Sequence, residues 1–92
     1  MNSTNAIDVA MKHHHAGELQ QAEHLYREIL RANPRHADAL HLLGLVFHQV
    51  GKHDLARESI ERAISLKRNE PVFLTSLAAV LLTMGNHAGA VT

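Results

Sequence analysis

The chain has 92 residues, with nine basic and nine acidic side chains, a formal net charge of zero with neutral histidines, no cysteine, no tryptophan and only three aromatic residues. That balance supplies no basic field for nucleic acid, and it excludes disulfides, thiolate metal sites and a cysteine nucleophile. Met1 to Lys12 mixes Asn, Thr and Asp with short apolar steps instead of the continuous apolar stretch of a signal peptide. The most apolar segment, Val72 to Met84, is interrupted by Thr75, Ser76 and Thr83 and is shorter than the roughly 20 residues that span a bilayer. A soluble cytoplasmic domain with neither membrane nor nucleic acid as partner is expected.

The apolar spacing is helical throughout, and no run alternates as a strand would. A first helix is expected over Thr4 to Ala16, closed by Gly17. A second, Glu18 to Ala32, places Leu19, Ala22, Leu25, Tyr26, Ile29 and Leu30 on one side and pairs Glu23 with Arg27 on the other. Asn33 stands before Pro34, which forces it to be extended and ends the helix. A third helix follows over Ala37 to Val50 and stops at Gly51. A fourth, Lys52 to Leu66, turns Leu55, Ala56, Ser59, Ile60, Ala63 and Ile64 inward and pairs Glu58 with Arg62. Pro71 suits the first turn of a fifth helix, Pro71 to Met84, with Asn69 as its cap. Gly85 would end it, and a further helix would begin at His87.

These elements repeat. Gly17, Gly51 and Gly85 are separated by a constant 34 residues, and other columns keep the same step: Ala22, Ala56 and Ala90; Val9, Leu43 and Leu77; Ala10, Gly44 and Ala78. The unit is a helix pair.

A 34-residue helix-turn-helix unit with small residues among large apolar ones resembles the tetratricopeptide repeat. The resemblance is clearest in the middle unit, where Leu40, Leu43, Gly44, Phe47, Gly51, Ala56, Ile60 and Ala63 fill its large, large, small, aromatic, turn, small, large and small positions. The first unit keeps Val9, Ala10, Gly17, Ala22, Tyr26 and Pro34 but has His13 where an aromatic is usual and Ile29 where alanine is usual. The third matches through Leu74, Leu77, Ala78, Leu81, Gly85 and Ala90. The expected architecture is a single all-α domain over 1–92, an α-solenoid of about two and a half repeats: 3–36, 37–70 and a partial 71–92.

The resemblance implies a right-handed superhelix whose concave face, lined by the first helix of each pair, holds an extended peptide or a partner's helix. By carry-over that face includes Ile7, Met11, His14 and His15, then Asp38, His41, Leu42, Leu45, His48 and Gln49, then Val72, Thr75, Ser76, Ala79 and Thr83. One subclass of the family grips a C-terminal carboxylate with lysine, asparagine and arginine; the corresponding positions here are Ile7, Met11, Leu42, Val72 and Ser76, so that clamp is not expected. The stretch from His14 to Leu30 also looks like the opening repeat of bacterial arrays joined to glycosyltransferase or sulfotransferase domains. An N-terminal substrate-recruiting region of such an enzyme is therefore the alternative reading.

Nine histidines raise the question of metal. His13, His14 and His15 are consecutive and point about 100° apart on a helix, so they cannot close on one ion. A cross-helix pair of His14 with His48 is conceivable, but no metal or other cofactor is expected. The nine carboxylates scatter without facing one another, and no phosphate loop follows a strand, so no catalysis is expected. In the fifth helix Leu74, Leu77, Ala78 and Leu81 suffice to pack on the second repeat. Val72, Phe73, Ala79, Val80 and Leu82 then form a second apolar face, which implies a homo-oligomer built through Val72, Phe73, Val80 and Leu82.

Overall fold

The computed structural model describes the backbone of residues 3–91 and the side chains of residues 6–85. Five helices follow in order: α1 (Ser3–His15), α2 (Leu19–Ala32), α3 (Ala37–Gln49), α4 (His53–Leu66) and α5 (Pro71–Val91), with no strand among the described residues. α1 packs on α2 and α3 on α4 as antiparallel pairs, while α2 meets α3 and α4 meets α5 between pairs. Stacking pairs instead of wrapping one core gives an elongated body of 49 × 29 × 19 Å.

The punctuation has clear causes. Gly17 and Gly51 sit at φ +82° and +86°, the left-handed turn that lets each chain reverse after its first helix. The freed carbonyls are taken up locally: Glu18 N–H donates to His13 O at 2.9 Å, and Lys52 N–H to Phe47 O at 2.8 Å. Asn33 is extended at φ −142° and ends α2, its N–H still donating to Ile29 O. α3 starts from an unforeseen cap, because His36 Nδ1 accepts the Ala39 N–H at 3.2 Å. α5 starts at Pro71, where a missing N–H costs nothing. Its capping position is Glu70, not Asn69, since the Glu70 carbonyl accepts from the Phe73 and Leu74 N–H groups.

The expected stop at Gly85 and new helix at His87 do not occur. α5 runs on to Val91, and Gly85 lacks the positive φ of the other two turn glycines. A glycine permits a left-handed turn without enforcing it. At Gly17 and Gly51 the turn is held by a following 14-residue helix that docks an apolar face. At Gly85 the helical hydrogen bonding of α5 continues instead.

Small residues set the spacing within pairs. A Cβ placed on Gly44 would stand 2.6 Å from Ile60 Cγ1 and 3.2 Å from the Ala56 carbonyl oxygen, so α3 and α4 approach as closely as only glycine allows. Ala10, Ala22, Ala56 and Ala63 are fully buried on the same principle, with Tyr26, Phe47 and Ile60 filling the grooves. On the surface Glu23 pairs with Arg27 at 3.0 Å as expected. Glu58 and Arg62 do not pair; both are exposed, and a pair worth only about 0.2–0.5 kcal/mol does not hold two solvated side chains.

α5 is turned differently from expectation. Phe73 is 1% exposed and Val80 0%, so both belong to the core and not to a self-association surface. Phe73 packs with Ala37, Leu40 and Ala63, and Val80 joins Leu43, Val46 and Ile60. Leu74, Ala78 and Leu81 instead face water, together with Val72 and Leu82. The repeat explains the swap. Phe73 and Val80 are one step beyond Ala39 and Val46, buried residues of α3, whereas Leu74, Leu77, Ala78 and Leu81 are one step beyond Leu40, Leu43, Gly44 and Phe47, which face α4. Among the described residues no second helix docks on the third unit to cover that side.

Candidate interaction face

The helical period combined with the 34-residue step defines one partly open stripe across the three first helices. It runs through Asp8, Met11 and His15 on α1, Asp38, Leu42, Leu45 and Gln49 on α3, and Val72, Ser76, Ala79 and Thr83 on α5. None of these side chains is fully buried, although α3 is otherwise closed in on almost every side.

Two polar bonds tie these helices edge to edge. His14 Nε2 on α1 donates to Gln49 Oε1 on α3, and His41 Nε2 on α3 lies 2.7 Å from Ser76 Oγ on α5. Tyr26 anchors the first bond from behind. Its hydroxyl is buried and donates to His14 Nδ1 at 3.2 Å, which fixes the neutral His14 tautomer with its hydrogen on Nε2. Burial pushes the Tyr26 hydroxyl up to about 12, so it keeps the proton it donates. The His41 ring stacks at a tilt on Phe73, centroids 4.6 Å apart.

Several expected binding residues have other duties. His41 is 6% exposed and is a strut between helices, not an open contact residue. Burial pulls its pKa down from 6.5, against the opposing pull of Asp38 and Glu70. His48 does not meet His14; its Nδ1 is 3.3 Å from Nδ1 of His53 on α4. Among the described residues no three histidines or carboxylates converge as metal ligands. Met11 and Leu42 are half-buried and pack against the core, and Leu45 is half-buried. His15, Gln49, Thr75 and Ala79 are exposed, with the Thr75 hydroxyl donating to the Pro71 carbonyl. Of the expected self-association set, Val72 and Leu82 are exposed while Phe73 and Val80 are not. Tyr26, His36 and His53 were missed as polar partners. Only His53 carried a signal, a histidine five positions after His48 across a glycine turn.

The fold is shared with known proteins. The tetratricopeptide repeat model matches residues 15–72. Human tetratricopeptide repeat protein 7B is 30% identical over 74 residues, 80% of this chain and 9% of that protein. Anaphase-promoting complex subunit 3 of Schizosaccharomyces pombe is 29% identical over 70 residues, 74% of this chain and 10% of that protein. The chain thus spans about a tenth of the length of these relatives. Among solved structures, the type III secretion translocator chaperone SycD of Yersinia enterocolitica superposes with a TM-score of 0.85 at 22% identity, over 92% of this chain and 64% of that one. SycD bound to a peptide of the translocator YopD gives 0.85 at 21%, over 96% and 69%. MamA gives 0.82 at 28%, over 94% and 50%. No described helix is long and apolar enough to cross a membrane. With its model matched over more than half of the sequence, the chain belongs to the tetratricopeptide repeat family.

Proposed function

We propose that the chain is a non-catalytic protein-interaction scaffold that takes an extended peptide or a partner's helix on the stripe formed by α1, α3 and α5, and that associates with itself through the outer side of α5. The observation that carries the first part is the pair of bonds His14–Gln49 and His41–Ser76, which align three first helices and leave a continuous partly open row beside them. Leu45 and Ala79 supply apolar contact on that row, and Gln49 on it and exposed Thr75 beside it supply polar contact. That mixture suits main-chain amides and intermittent apolar side chains better than a small apolar ligand. The SycD complex with a translocator peptide supports a peptide as the class of ligand.

The test is selection of peptides from a display library on the purified chain, followed by titration against variants. Leu45→Glu and Ala79→Glu should retain wild-type helical content and lose at least tenfold in affinity for the selected peptides. Arg57→Glu, on the exposed side of α4, should bind as wild type. Peptides that bind Leu45→Glu and Ala79→Glu undiminished would overturn the assignment of the face.

A further inference from the structure

We infer that His48 and His53 form a two-histidine site for a borderline divalent cation such as Zn²⁺, clipping α3 to α4 across the Gly51 turn. Their Nδ1 atoms are 3.3 Å apart, with ring centroids at 5.2 Å and planes tilted by 60°. Two imidazole nitrogens bound to one tetrahedral zinc at about 2.0–2.1 Å stand roughly 3.3–3.4 Å from each other, so the spacing already equals the bite of the ion. In the metal-free protein one ring donates its Nδ1–H to the other. On binding, the donor ring moves that hydrogen to Nε2, and both Nδ1 lone pairs face the ion without net loss of a proton from the neutral pair.

The pair is held in place by backbone. Gly51 at φ +86° reverses the chain, its N–H donates to His48 O at 3.2 Å, and the Lys52 N–H closes the turn on Phe47 O. Both histidines are half-buried, which limits their alternative rotamers. The repeat supplies an internal control. One step earlier the same two positions are His14 and Leu19, around a turn of the same form at Gly17. There the position that would offer a second imidazole is a leucine, and both His14 ring nitrogens are engaged by Tyr26 and Gln49. No third histidine or carboxylate converges among the described residues, so water would complete the coordination. Two protein ligands with open positions imply an exchangeable ion, not one buried for folding.

The experiment is a calorimetric titration of Zn²⁺ into the full chain at pH 7.5, with ¹⁵N chemical shifts of the histidine ring nitrogens recorded in parallel. One ion per chain is expected, with the largest shifts at Nδ1 of His48 and His53 and a raised melting temperature. His53→Leu places there the residue the first repeat holds at Leu19, and should weaken binding at least tenfold while preserving helical content. His53→Gln serves should leucine disturb the fold. A His13→Ala, His15→Ala double variant should bind as wild type. Undiminished affinity in both His53 variants, shifts confined to His13–His15, or no heat of binding up to millimolar Zn²⁺ would overturn the site.

Discussion

His41 Nε2 and Ser76 Oγ, 2.7 Å apart, are 35 residues apart in sequence, and the same separation joins His14 to Gln49. One repeat plus one residue carries a position on a first helix to its neighbour on the next. Both bonds therefore stitch adjacent first helices along a common edge. In a stack whose cohesion otherwise comes from apolar surface, these two bonds add directional contacts between repeats, which burial alone does not supply.

The buried strut makes stability depend on pH. His41 has its pKa lowered by burial from 6.5, against Asp38 and Glu70. The unfolded chain therefore takes up this proton before the folded one does, so the contribution is full above pH 6.5 and is lost progressively as pH falls below it. Urea unfolding midpoints measured from pH 7.5 to 5 should fall in the wild type. They should fall less in His41→Gln, which keeps a polar partner for Ser76 without a titrating ring. Parallel curves would remove His41 from the account.

Gly44 gives a cleaner packing test. An alanine there gains up to about 1 kcal/mol of helix propensity. Its Cβ meets Ile60 Cγ1 at 2.6 Å, on a fully buried β-branched side chain that cannot swing away, and such overpacking costs about 1–3 kcal/mol. Gly44→Ala should thus be destabilising by up to about 2 kcal/mol in the wild type. In an Ile60→Ala background the same change should cost less, the tight contact with the Ala56 carbonyl oxygen at 3.2 Å remaining. Denaturant unfolding of the four-member cycle measures the coupling.

The turns and the small columns were legible in the sequence because each reflects a demand one residue type meets. Left-handed backbone selects Gly17 and Gly51, and close approach of α3 to α4 selects Gly44. The orientation of α5 was not legible from its own composition. Val72 to Leu82 is apolar nearly all round and has no charged residue to mark the solvent side, so periodicity alone leaves its rotation open. The missing information lay one repeat earlier, in the burial of Ala39 and Val46. The histidine partners were hidden for a different reason. Which of Tyr26, Gln49, His53 or Ser76 a ring meets depends on shifts of an ångström, and histidine tolerates all of them.

That orientation predicts opposite outcomes on the two sides of α5. Phe73→Ala should cost about 3–5 kcal/mol, the range for a buried aromatic, and Val80→Glu should abolish cooperative unfolding. Leu74 and Leu81, 51% and 47% exposed, should tolerate glutamate within about 0.5 kcal/mol. If the chain associates through this outer side, Leu74→Glu with Leu81→Glu should lower the sedimentation coefficient at high micromolar concentration while leaving circular dichroism unchanged. A wild type that sediments as a 10.2 kDa monomer under those conditions would remove self-association from the proposed function.

The last prediction concerns three glycines that the 34-residue step treats as equivalent and the backbone does not. A Cβ at Gly17, Gly51 or Gly85 meets nothing within 4 Å, so substitution at each reports backbone conformation free of packing. At Gly51, φ +86° places an alanine in the left-handed region at a cost of about 1–2 kcal/mol. Gly17 at +82° should respond alike. Gly85 is inside α5, where replacing glycine with alanine removes backbone entropy from the unfolded chain and gains up to about 1 kcal/mol. Gly51→Ala and Gly17→Ala should therefore lower the melting temperature, and Gly85→Ala should raise it or leave it unchanged. A loss at Gly85 matching that at Gly51 would mean that the chain turns there in solution and that α5 ends at Met84.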